Sequence, residues 1–102
     1  MIIPAGDLDM TRKVELTNVV IVAEQSTKFE LPPADEVRAV NIGDFVKVIA
    51  GRERFWVEID EITDTGYLGV ISNELVFEEE HGWKADDLIG VRAENICDIE
   101  RA

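Results

Sequence analysis

One cysteine, Cys97, and one histidine, His81, stand in a chain of 102 residues, and these two scarcities remove whole classes of chemistry. A lone thiol closes no internal disulfide, which sets the chain apart from small secreted domains framed by several. One His and one Cys cannot supply the ligands of a structural zinc site, and no histidine pair sits four residues apart, so no metal is expected. The seven glycines are isolated and none opens a helix in a phosphate-cradling run, so neither a nucleotide nor any other cofactor is expected. No apolar run approaches the roughly 18 residues of a membrane span. Residues 1–7 lack the basic start and long apolar core of a signal peptide, and a cytoplasmic setting is the expectation.

Positive charge is also scarce. Ten Lys and Arg face twenty-two Asp and Glu, a net charge of -12. Such an excess repels nucleic acid and anionic lipid at a distance, which disfavours direct binding of either. Two readings of the acidity stay open. It keeps a small protein soluble, or it presents an acidic face to a basic protein, including one that normally binds nucleic acid.

What is present is a dispersed set of aliphatic residues, 46% hydrophobic overall, enough for one modest core and hence one domain spanning 1–102. The organising stretch is 42–49, Ile-Gly-Asp-Phe-Val-Lys-Val-Ile, followed by 53–59, Glu-Arg-Phe-Trp-Val-Glu-Ile. Both runs alternate in polarity, are rich in β-branched and aromatic residues, and are joined by 50–52, short enough for an antiparallel hairpin.

Around this nucleus, residues 1–11 predict a mobile arm. The β-branched run from Val14 to Val22 predicts a buried strand, and Phe29 and Leu31 an extended piece stopped by Pro32 and Pro33. Residues 34–40, with early acids and a later arginine behind Pro33, predict a short helix. The second hairpin strand runs to about Ile62, and Asp64-Thr65-Gly66 signals a turn into a third strand at 67–71. A fourth strand is expected at 75–77, a loop at 78–87, further strands at 88–92 and 96–99, and a helical turn at 93–95. The sum is a mainly β fold, a small SH3-like barrel of five to six strands with an N-terminal strand and one short helix, its core in 42–100.

Four blocks of the chain, 43–48, 53–59, 69–75 and 94–99, resemble an uncharacterised bacterial domain family. That family is identified by a Glu-Arg-Phe/Met-Trp-Val-Glu core and a Gly-x-x-x-Asn element one strand later, here Gly69 and Asn73. The resemblance extends over about residues 29 to 100 and implies a compact β-rich domain, with no catalytic residues to carry across. One departure is Glu74, where the family pattern has Asp or Asn.

Candidate chemistry is sparse. Cys97, in an apolar-flanked strand, reads as an inert core thiol. His81, beside Glu78 to Glu80 and Gly82, reads as a solvated loop residue whose charged form the acids favour. Carboxylate pairs such as Glu58 with Asp60, or Asp86 with Asp87, arise by chance in so acidic a chain. Strict alternation puts Phe55, Val57 and Ile59 on one side of the second strand and Arg54, Trp56, Glu58 and Asp60 on the other. Trp56 is then either an exposed recognition anchor or core, buried by a bulge or by the N-terminal strand. Trp83 carries the same ambiguity.

The expected function is therefore a non-enzymatic binding module, with Arg54, Trp56, Glu58, Asp60, Asn73 and Trp83 as binding residues and Glu78 to Glu80 supplying charge. The partner is a protein, basic in the sharper form, where the chain is an acidic inhibitor or immunity-type protein of a prophage or mobile element. The alternative is a small hydrolase-like enzyme using carboxylates alone, which needs an enclosed pocket and an acid of raised pKa.

Overall fold

The computed structural model describes residues 13–25 and 30–102. Among these residues five antiparallel strands form one sheet in the order β4-β3-β2-β1-β5. They are β1 (Phe45–Ala50), β2 (Glu53–Thr63), β3 (Gly66–Ile71), β4 (Leu88–Val91) and β5 (Asp98–Glu100). Among the described residues the edge strands β4 and β5 do not pair with each other, so the sheet is open.

The expected hairpin is the centre of it. Ala50 pairs with Glu53 across a two-residue turn, and Gly51 takes the positive φ of 61° that such a turn demands. Alternation then sorts every side chain. Val46, Val48, Phe55, Val57 and Ile59 are 1% exposed or less, while their neighbours along the strands face outward. β2 is long because it bends: the register with β3 shifts between Ile59 and Glu61, making Asp60 the extra residue of a bulge. Next to it an added Cβ on Gly69 would lie 2.3 Å from the Glu58 carbonyl oxygen, so the two strands cross closely there.

Three expectations fail. The run Val14 to Val22 is not a strand. Leu16 makes one isolated bridge to Ala50, and the chain then enters helix α1 (Val19–Gln25). Asn18 decides this: its side-chain oxygen accepts the amides of Val20 at 3.0 Å and Ile21 at 3.3 Å, a helix N-cap that overrides the β preference of the valines. Only Val19 of α1 is buried, and Val20 and Ile21 remain 44% and 50% exposed.

Second, 75–77 is not a strand, because the amides of Val76 and Phe77 are given to the Glu53 carboxylate instead of to a neighbouring strand. Third, the expected loop begins with a single helical turn, α3 (Glu78–His81), whose His81 is 1% exposed rather than solvated. The last strand is also shorter than expected, Asp98–Glu100.

The expected short helix is present as α2 (Ala34–Arg38), directly after Pro33, so among the described residues helical segments number three beside a 3-10 turn at Ala93–Asn95. Arg101 donates to the Ala39 and Glu36 carbonyls at the C-terminal end of α2, and to Asp44. The expected arm at 1–11 and Phe29 lie outside the described residues. No helix among the described residues is long and apolar enough to cross a membrane.

Candidate functional site

The solvent side of the sheet gathers most of the residues singled out in the sequence. Trp56 sits opposite Lys47 on β1, and the Lys47 ammonium lies 5.1 Å from the centre of its ring, a cation–π contact. Trp56 is half-buried, with exposed Arg54 and Glu58 on either side of it along the strand. One register row crosses all five strands: Glu100, Phe45, Glu58, Val70 and Leu88. It interleaves apolar and acidic side chains, and Leu88 is 59% exposed. Asp60 is exposed but falls at the bulge, out of this alternation.

Asn73 has a defined internal task. Its side-chain oxygen accepts the Trp56 amide at 2.6 Å, while the Trp56 carbonyl accepts the amide and the hydroxyl of Ser72. The carboxamide thus continues the β2–β3 ladder where the chain leaves the sheet, and it fixes the backbone under the tryptophan. The Gly-x-x-x-Asn spacing has a physical reading in this chain: Gly69 permits the crossing, and Asn73 terminates the pairing.

The inward side of β2 holds a group that the sequence reading missed. Glu53 is 9% exposed, and its carboxylate accepts the amides of Val76 and Phe77 and Nε2–H of His81, each at 2.8 Å. The Trp83 amide donates to Nδ1 of His81 at 3.0 Å, which leaves the ring proton on Nε2. Burial pushes the Glu53 carboxyl up, but the His81 bond and the two amides outweigh it, and its pKa lies below the usual value. Glu53 is in phase with Phe55 and Val57, which is the signal that it faces inward.

Asp44, 6% exposed, is treated alike. The amides of Asn41 and Ala102 lower its pKa, burial opposes them, and Arg101 adds to the lowering. Burial raises the Cys97 thiol, against the nearby charges of Arg54 and Lys47, and its sulfur donates to the Lys47 carbonyl at 3.3 Å.

Trp83 is placed apart from Trp56. Its indole N–H donates to the Val14 carbonyl at 2.9 Å and Lys13 lies 4.7 Å above its ring. With Glu15, Gly90, Arg92 and Glu94 it lines an open cleft of about 590 Å³. Of the acidic run, Glu80 is paired with Arg52, whose guanidinium also covers the Phe77 ring at 4.1 Å. No family model, curated protein or solved structure matches the chain.

Proposed function

We propose that the domain is a binding module that docks on a protein partner through the outward face of β1 and β2. The observation that carries this reading is Trp56: a half-buried aromatic with its amide tied to Asn73 and its ring under Lys47, flanked by exposed Arg54 and Glu58. A large side chain held in place loses little freedom on binding, the property of aromatic anchors at interfaces. Phe45, Val70 and Leu88 widen the apolar part of that face, and Glu58 and Glu100 give it acidic points.

The net charge of -12 favours a basic partner. In its sharper form the chain is an acidic inhibitor or immunity-type protein that occupies a nucleic-acid-binding site. We read the architecture as an SH3-like barrel left open between β4 and β5, supported by the strand order β4-β3-β2-β1-β5, the bend in β2 and the 3-10 turn before β5. The likeness of the four sequence blocks to the bacterial domain family is kept as part of this proposal. The carboxylate enzyme is the weaker reading, since Asp44 and Glu53 are saturated with N–H donors and held ionised, the opposite of a general acid.

The test is capture from the cells that make the protein, with wild type and Trp56→Ala side by side at low and moderate salt. A basic protein retained by wild type, released by salt and lost in the variant supports the reading. The same proteins on both baits, or no basic protein at either salt, overturn it.

A further inference from the structure

Among the described residues three glycines lie within strands, and two have internal reasons. A Cβ on Gly66 would lie 2.3 Å from the Val91 carbonyl oxygen, and one on Gly69 2.3 Å from that of Glu58. Gly90 in β4 differs. Nothing lies within 4 Å of an added Cβ there, and its φ is outside the left-handed region. Neither packing nor backbone geometry asks for glycine, and strand formation disfavours it. Gly90 belongs to the outward-facing positions of β4, so its missing side chain leaves the sheet face beside this edge uncovered.

The hydrogen-bond pattern says which way its backbone points. The Ile71 amide donates to the Asp87 carbonyl at 3.0 Å and the Ile71 carbonyl accepts the Asp86 amide at 2.9 Å. With Asp86 at φ 72°, this is a bulge with its first residue left-handed. Bonded and non-bonded pairs alternate along an antiparallel ladder. Ile89 and Val91 therefore turn their amides and carbonyls toward β3, and Leu88 and Gly90 turn theirs away. On that side β4 has no neighbouring strand among the described residues. The next outward amide, that of Arg92, is already given to the Asn95 side chain at 2.9 Å, which ends the open stretch.

The cleft of about 590 Å³ meets this edge at Gly90 and Val91, with Trp83 in its lining, and continues past β4 to Thr63, Thr65 and Leu68. Its charged lining residues are Glu15, Glu94 and Arg92, a local excess of one negative charge in a chain of net -12. A second copy is a poor occupant, because two such acidic chains repel.

We propose that the free edge of β4 is a strand-addition site for an extended basic segment of a partner protein. The incoming backbone pairs with Leu88 and Gly90, and its cationic side chains face Glu15 and Glu94. This rests on the binding-module reading, but it uses a different surface from Trp56.

The probe is a labelled octapeptide alternating valine and lysine, with a valine–glutamate peptide as its counterpart. Binding is read by fluorescence anisotropy and by amide hydrogen exchange on the full chain. The lysine peptide is expected to bind and to protect the Leu88 and Gly90 amides, with the glutamate peptide at least about tenfold weaker. Gly90→Pro removes the outward donor without touching the β3 ladder and weakens binding by about tenfold or more, whereas Trp56→Ala changes it by less than about twofold. Should Gly90→Pro lose the exchange protection of Ile89 and Val91, and so its fold, the paired Glu15→Lys and Glu94→Lys variant is expected to weaken the lysine peptide by about tenfold instead.

No binding, protection elsewhere, or equal binding to a folded Gly90→Pro overturns the proposal. So does protection of Leu88 and Gly90 before peptide is added, since the chain or a second copy then already covers the edge. Loss in Trp56→Ala alone overturns this site and leaves the Trp56 surface standing; loss in Gly90→Pro alone supports this site, and the Trp56 surface then stands or falls by the capture experiment.

Discussion

The two sides of β2 are built from one hexapeptide, Glu53 to Glu58, and they have opposite duties. Inward, Phe55 and Val57 are sealed in the core and Glu53 is saturated by three N–H donors. Outward, Arg54 and Glu58 are exposed and Trp56 is half-covered by Lys47. Because a strand alternates with a period of two, neighbouring residues are separated by the full thickness of the sheet. Stability and recognition are therefore assigned to adjacent positions, and single substitutions should pull them apart.

The widest separation is expected between Phe55→Ala and Trp56→Ala. Phe55 is 1% exposed and its loss leaves a cavity in the core, a cost of about 3–5 kcal/mol, comparable with the whole stability of a domain this small. Trp56→Ala removes a half-covered ring and one cation–π contact, about 1 kcal/mol. Urea unfolding of the two variants measures the difference. Equal losses would mean that Trp56 is core after all.

Glu53→Gln breaks the inward side in a different way. The carboxamide has one acceptor oxygen and places an NH2 group among the amides of Val76 and Phe77 and the Nε2–H of His81. The cost is about 2 kcal/mol at neutral pH. The pH dependence follows from the direction of the shift. A carboxyl whose folded pKa is lowered contributes its full stability above the unfolded value, near 4.3 for glutamate, and loses it as pH falls through the folded value. The gap between wild type and variant is therefore widest at neutral pH and closes below about pH 4. Unfolding midpoints between pH 7 and pH 3 test this, and a gap that is constant with pH would mean that the fold does not hold the Glu53 carboxyl below its usual pKa. Asp44, lowered by its amide donors, follows the same sign in both proteins and cancels in the comparison.

The same hexapeptide shows why some of the fold was legible in the sequence and some was not. The hairpin was, because alternation over β1 and β2 is a local pattern and the core face follows from it. The inward phase of Glu53 was visible too, although its partners were not: His81 lies 28 residues away, and its immediate neighbours, three glutamates, suggested solvent. The run at 75–77 has strand composition, but its amides answer to Glu53. At the N-terminal side one residue outweighed a pattern, since the Asn18 cap turned a β-branched run into α1. The cleft drew on stretches near residues 15, 63, 83 and 92, and no local periodicity spans such separations.

The smallest expected effect contrasts an inward glycine with an outward one. Gly69→Ala drives a methyl to 2.3 Å from the Glu58 carbonyl oxygen and 2.7 Å from a Val57 methyl, in the tightest crossing of β2 and β3. Backbone cannot yield as a flexible side chain does, so the strands must part there, at about 1–3 kcal/mol. Gly90→Ala meets nothing within 4 Å, and it lowers the entropy of the unfolded chain, so its effect is neutral to stabilising by about 0.5 kcal/mol. Thermal melts of the two variants decide the matter. A destabilised Gly90→Ala would reveal an internal constraint at that glycine; an unchanged or higher melting temperature shows that the fold itself does not require glycine there.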